Sequence, residues 1–217
     1  LILHLATAIS TLIYFWNDFK KIIISLCNFK KDENFNFSIM ILISMIPAGL
    51  VGFFYEDEIN KLFEGNLFLV GSMLIITAIL LFISDKVKNF NKELTAKNAL
   101  IIGIAQALAI LPGISRSGST ITTSIFLGVN RELAAKFSFL MVIPIIIGSS
   151  LKMIVFDDVV FNNEIILNYA VGFISALITG FYACKWMILF VKKSKLIYFS
   201  IYCLIIGIIS IFYTLLQ

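Results

Sequence analysis

Apolar residues in this chain gather into seven runs, at about 1–16, 37–55, 67–84, 99–129, 137–156, 165–191 and 196–216, and charged residues fill the gaps. Most runs approach the ~20 residues that an α-helix needs to cross a bilayer. The gaps alternate in charge. Lys20, Lys21, Lys30 and Lys31 lie in 17–36, and Lys86, Lys88, Lys92 and Lys97 in 85–98. Arg131 and Lys136 lie in 130–136, and Lys192, Lys193 and Lys195 mark the last gap. By contrast, 56–66 sets Lys61 against Glu56, Asp57, Glu58 and Glu64, and 157–164 carries Asp157, Asp158 and Glu164 with no base. The positive-inside rule puts the basic gaps in the cytoplasm and the two acidic gaps outside.

That alternation leaves one run with the wrong parity. Both 85–98 and 130–136 read as cytoplasmic, so 99–129 must return to the side from which it entered. As one helix it would measure about 46 Å, too long for a ~30 Å core. Split at Pro112-Gly113, its arms of about 13 and 11 residues would measure roughly 20 and 16 Å, too short to cross. The pattern therefore predicts an all-α polytopic membrane protein with six transmembrane helices plus a re-entrant hairpin at about 99–129, its tip near mid-membrane. Broken backbone at that depth must be buried in protein or line a wet cavity.

Composition agrees. The chain is 60% hydrophobic with 21 Phe, more apolar surface than a soluble domain of this size can hide. The net charge of +4 follows the loops and forms no nucleic-acid patch. Cys27, Cys184 and Cys203 have no metal-like spacing and read as packing or lipid-facing residues. Residues 1–217 read as a single integral membrane domain. The chain opens on Leu1 in mid-span, which predicts that it is N-terminally incomplete.

The chemistry concentrates at the expected hairpin tip, Leu111-Pro112-Gly113-Ile114-Ser115-Arg116-Ser117-Gly118-Ser119-Thr120. A charge at membrane depth is costly and marks a functional site. A guanidinium fork, hydroxyls and glycine-exposed N–H groups suit phosphate, and a half-helix starting there would attract an anion, with one of the serines as its N-cap. Apart from Arg116, only Lys152 and Lys185 among the basic residues lie within apolar runs, each near a span end from which it can snorkel. No intramembrane carboxylate is available to pair with Arg116, so its counter-ion must be a ligand or a segment not in this chain. A structural reading, Arg116 capping carbonyls at a helix break, leaves the clustered hydroxyls unexplained. Gln106 reads as a hydrogen bond within the bundle, Glu132 as a solvated or capping residue, and His4 as a polar packing residue. Met45-Ile46-Pro47 with Gly52 echoes Met141-Val142-Ile143-Pro144 with Gly148, which points to an inverted repeat of the kind transporters use.

The stretch from Leu111 to Ser138 resembles the second signature of the bacterial undecaprenyl-diphosphatase family, the bacitracin-resistance type. Both its P-G-x-S-R-S-x-x-T core, at Pro112 to Thr120, and its R-E-x-A-A-x-F-S-F tail, at Arg131 to Phe139, are present. Leu3-His4-Leu5, Ile46-Pro47-Ala48 and Phe139 to Pro144 add to the similarity. The resemblance implies an inverted repeat with two re-entrant hairpins in the bacterial inner membrane. It also implies hydrolysis of undecaprenyl diphosphate to undecaprenyl phosphate and inorganic phosphate, which recycles the lipid carrier for cell-wall synthesis and confers bacitracin resistance. By that resemblance Ser115, Arg116, Ser117 and Thr120 bind the diphosphate, Gly113 and Gly118 let the backbone approach it, and Arg116, Ser117 and Ser115 are catalytic. A divalent metal, Mg or Ca, is implied as well, but the family's glutamate-rich first signature and its histidine precede the part that matches Leu1 to Trp16, so the metal ligands are unknown here. The partners expected are a polyprenyl diphosphate and membrane lipid, with a homodimer open and no nucleic acid. The alternatives from the residues are a polyprenyl-phosphate transporter or flippase, or an inactive truncated remnant.

Overall fold

The computed structural model describes residues 2–29, 31–63, 65–88, 90–156 and 166–216, without the side chains of 151–156 and 166. Among these residues the regular structure is helical throughout: α1 (Ile2–Tyr14), α2 (Trp16–Cys27), α3 (Glu33–Phe54), α4 (Glu56–Leu62), α5 (Leu67–Lys86), α6 (Ala96–Leu108), α7 (Arg116–Phe126), α8 (Arg131–Phe156), α9 (Ile166–Lys192) and α10 (Ile197–Leu215). Five helices are long and apolar enough to cross a membrane, at Glu33–Phe54, Leu67–Lys86, Arg131–Ser150, Leu167–Lys192 and Ile197–Leu215. A helix satisfies its own backbone, which is why apolar runs without water adopt it. The exposed side chains on these helices include Phe53, Phe54, Leu167, Tyr202 and Phe212, a surface suited to lipid.

Two gaps differ from their reading as loops. The basic 17–36 stretch is largely helical, because Phe19, Ile22 to Ile24 and Leu26 interleave with Asp18, Lys20 and Lys21 and allow an amphipathic helix. Helical bonding runs through Phe15, whose N–H donates to the Thr11 carbonyl at 3.0 Å and whose carbonyl accepts from Phe19 at 2.9 Å. In 56–66, Glu56, Asp57 and Glu58 occupy the first turn of α4 and Lys61 its last, which suits the helix dipole. The acidic 157–164 gap lies outside the described residues, as does the Lys152 side chain. Pro47 and Pro144 both sit inside helices.

The chain divides into two compact units, residues 1–38 with 139–189 and residues 39–138 with 190–217. In the first, α1 meets α9 through small residues. A Cβ at Gly180 would press on the Ser10 side chain, and the Thr11 hydroxyl lies 3.5 Å from Cys184 Sγ. Tyr14 and Phe181 stack edge to face at 5.7 Å.

The second unit holds the predicted hairpin. Its α5 and α10 cross at Gly71 and Gly207, where a Cβ on either would stand 2.8 Å from the other's carbonyl oxygen, the small-residue crossing common in membranes. Ser200 donates to the Ala78 carbonyl at 2.6 Å nearby. The helix ends are clasped by charge. Arg131 is buried, and its Nη2 donates to the carbonyls of Ser84 at 2.8 Å, Asp85 at 3.4 Å and Val87 at 3.0 Å, closing the end of α5. Its Nη1 stands 3.9 Å from the Asp85 carboxylate, which accepts the N–H groups of Leu196 at 3.0 Å and Ile197 at 2.7 Å and so caps α10. Glu132 is exposed in the first turn of α8, as expected of a solvated residue, and pairs with Lys192 at 2.6 Å.

Candidate anion site at a helix break

The break falls where Pro112-Gly113 predicts it. α6 closes with i−3 bonds from Ile110 to Ala107 and from Leu111 to Leu108, at 3.2 and 3.3 Å, the tightening usual at a helix end. Gly113 then takes φ +96°, and a Cβ there would collide with the Val70 carbonyl on α5. Only glycine combines that dihedral with that approach. Ser115 follows as the N-cap of α7, its Oγ accepting the Gly118 N–H at 3.1 Å. The two arms pack on one another, and α7 packs on α5. At the far end the Lys92 N–H donates to the Gly128 carbonyl at 3.0 Å. A helix–break–helix thus leaves and rejoins the chain at one place.

Sequence reasoning missed the residue that holds the break to α5. Thr77 is buried, its hydroxyl accepts the Ser115 N–H at 3.1 Å, and it lies 3.4 Å from the Gly113 carbonyl, to which it donates. The signal was present, since Thr77 is the one polar residue between Ser72 and Ser84. Ser138 was missed as well; its hydroxyl meets that of Thr120 at 2.6 Å.

The predicted site residues separate into two groups. Ser115, Arg116 and Ser117 are half-buried at the start of α7. The Arg116 guanidinium makes no hydrogen bond or ion pair with the described residues, and the Ser117 hydroxyl makes no hydrogen bond with them. Neither the Arg116 nor the Ser117 N–H has a backbone partner among the described residues, as expected of the first positions of a helix. Thr120 is 1% exposed, and its hydroxyl is engaged by Ser138 and by the carbonyls of Arg116 and Ser117 at 3.0 and 3.3 Å. Gly118 has a packing reason too, because a Cβ there would stand 3.0 Å from the Ser115 side chain. Gln106, expected to bond within the bundle, has neither amide atom paired.

One cation, hydroxyls and helix N-terminal N–H groups gather at a single turn. Every one of these can donate to an anion. They do not suit a divalent cation, which takes anionic or carbonyl oxygens, and no group of three His, Cys, Asp or Glu side chains among the described residues could hold one. The metal implied by the sequence resemblance therefore has no ligand set in these residues.

The family model described as bacitracin resistance protein BacA matches residues 1–209. The chain belongs to the BacA family. A relative from Christiangramia forsetii, named undecaprenyl-diphosphatase, is 47% identical over 216 residues, covering all of this chain and 82% of the relative. Proteins of the same name from Bacteroides fragilis and Halothermothrix orenii are 47% and 42% identical over 222 and 214 residues. They cover 100% and 96% of this chain, and 83% and 80% of their own lengths.

Proposed function

We propose that this BacA-family chain is an undecaprenyl-diphosphate phosphatase of the bacterial inner membrane, releasing inorganic phosphate and returning the lipid carrier to cell-wall synthesis. The observation that carries this reading is Arg116 at the first turn of α7, without a partner among the described residues, flanked by the N-cap Ser115 and by the Ser117 hydroxyl, which makes no hydrogen bond with those residues either. Its fork takes two oxygens of the diphosphate at once, while the Arg116 and Ser117 N–H groups and the serine hydroxyls donate to the others. These donors stabilise charge on the phosphoryl oxygens as the anhydride bond breaks. Arg116, Ser115 and Ser117 are the catalytic set on this reading. Gly113 and Gly118 shape the turn, and Thr120 contributes from the buried side, through its contacts with the Arg116 and Ser117 carbonyls.

In the same reading the whole chain is one integral membrane domain. The five long apolar helices span, the 1–16 run that carries α1 is the sixth span, with α2 at the cytoplasmic interface, and α6 with α7 forms a hairpin re-entering from the cytoplasm within an inverted repeat. The Lys92–Gly128 bond supports it, because a crossing segment could not bring its two ends together.

The test is Arg116→Lys, assayed by phosphate release from undecaprenyl diphosphate in detergent. An ammonium cannot reproduce a bidentate fork, so turnover should fall about 100-fold or more with expression intact. Near-normal turnover would return Arg116 to a structural role.

A further inference from the structure

Buried polar side-chain atoms without a hydrogen-bond partner occur on two of the described residues, Gln106 and Arg131. Arg131 is accounted for by the carbonyls and the carboxylate that its guanidinium clasps. Gln106 is not. It is 2% exposed, and neither Nε2 nor Oε1 is paired. An amide buried unpaired costs stability, whereas an apolar side chain of the same length would not.

Its position narrows what the amide serves. Residues 109–115 join the arms, so the last turn of α6 and the first turn of α7 lie at the same end of the hairpin. At 1.5 Å per residue, Gln106 lies about 3 Å inside the end of α6, and Thr120 about 6 Å inside the start of α7. The amide is therefore level with the turn that carries Arg116 and Ser117. It shares a buried face with Ala99, Ile102 and Gly103, so it points into protein and not to lipid.

We infer that Gln106 is a further substrate-contacting residue of the hairpin site, with Nε2 donating to a diphosphate oxygen and Oε1 accepting from an O–H or water held with that group. The remaining polar groups of the site are a cation, hydroxyls and N–H donors. The amide adds an acceptor without adding a negative charge that would repel the substrate. The identity of the ligand rests on the proposed diphosphatase reading; the unpaired amide does not.

The experiment compares wild type, Gln106→Met and Gln106→Glu as purified protein in detergent, by thermal unfolding with and without inorganic diphosphate and by phosphate release from undecaprenyl diphosphate. Met keeps the length and removes both polar atoms. Its ligand-free Tm should equal or exceed that of wild type, its diphosphate-induced Tm rise should shrink by more than about half, and kcat/KM should fall about 10- to 100-fold. Glu should lose still more affinity through repulsion. A diphosphate-induced rise in Gln106→Met equal to that of wild type overturns the inference whatever the Tm, and so does a wild type that diphosphate fails to stabilise. Stabilisation lost in the Met variant while wild type releases no phosphate would instead sink the diphosphatase reading and leave the Gln106 contact standing.

Discussion

Two arginines show what an apolar chain can do with a guanidinium. Arg131 is buried and surrounded by carbonyls and Asp85, at the meeting of three helix ends. Arg116 is half-buried and has no partner among the described residues. The first is architecture, and the second is, in the proposed function, the group that meets the anion. Removing one member of a buried pair strands the other, a loss on the order of 3–5 kcal/mol. Asp85→Ala and Arg131→Met should each lower the thermal midpoint of the protein in detergent. The double variant should lose clearly less than the two together, because the stranded charge is gone; strict additivity would show that the clasp does not act as a unit. The sequence separated these arginines by depth in the membrane but not by burial in the protein. Arg116 stood out because apolar residues flank it on both sides, whereas Arg131 opens a span beside Glu132 and looked like an ordinary cytoplasmic residue. Its burial comes from the ends of α5 and α10, which no local pattern encodes.

Among the elements, the hairpin was the most legible. Its arms followed from charge parity and from Pro112-Gly113, and α6 and α7 have the anticipated lengths of 13 and 11 residues. What holds it was not legible. The Thr77 hydroxyl accepts the Ser115 N–H and donates to the Gly113 carbonyl from a helix about forty residues upstream. Thr77→Val keeps the shape and removes both bonds, leaving two backbone groups unpaired at a cost of about 1–3 kcal/mol each. The break should loosen where Arg116 is mounted. The expected result is a lower Tm together with a fall in kcat of about tenfold, since small misplacements of catalytic groups are expensive. Full activity in a destabilised Thr77→Val protein would mean that the turn holds its geometry without α5. The gaps were the least legible elements, because charge alone does not separate a loop from an interfacial helix such as α2 or α4.

At the scale of the molecule, the apolar runs at 37–55, 67–84, 137–156, 165–191 and 196–216 each became a helix long enough to cross. Run length carried that, since a bilayer demands helix wherever water is excluded. The run at 1–16 became a shorter helix bonded through Phe15 into a second one. The proposed topology has a direct check. Single cysteines at the exposed Lys97 and Glu132, on a background lacking Cys27, Cys184 and Cys203, should resist an impermeant thiol reagent applied from outside, whereas one at Asn60 on the acidic α4 should react. Outside labelling of only one hairpin flank would mean a true crossing and would remove the re-entrant reading.

The bond between Lys92 and Gly128 has a consequence for how such a protein can change. To the rest of the chain, everything between those residues is a side branch whose two roots touch. Lengthening it, swapping it or letting it decay would not require the flanking helices to be threaded anew. Chemistry borne on such a branch can diverge faster than the scaffold that carries it, and the scaffold can outlive the chemistry.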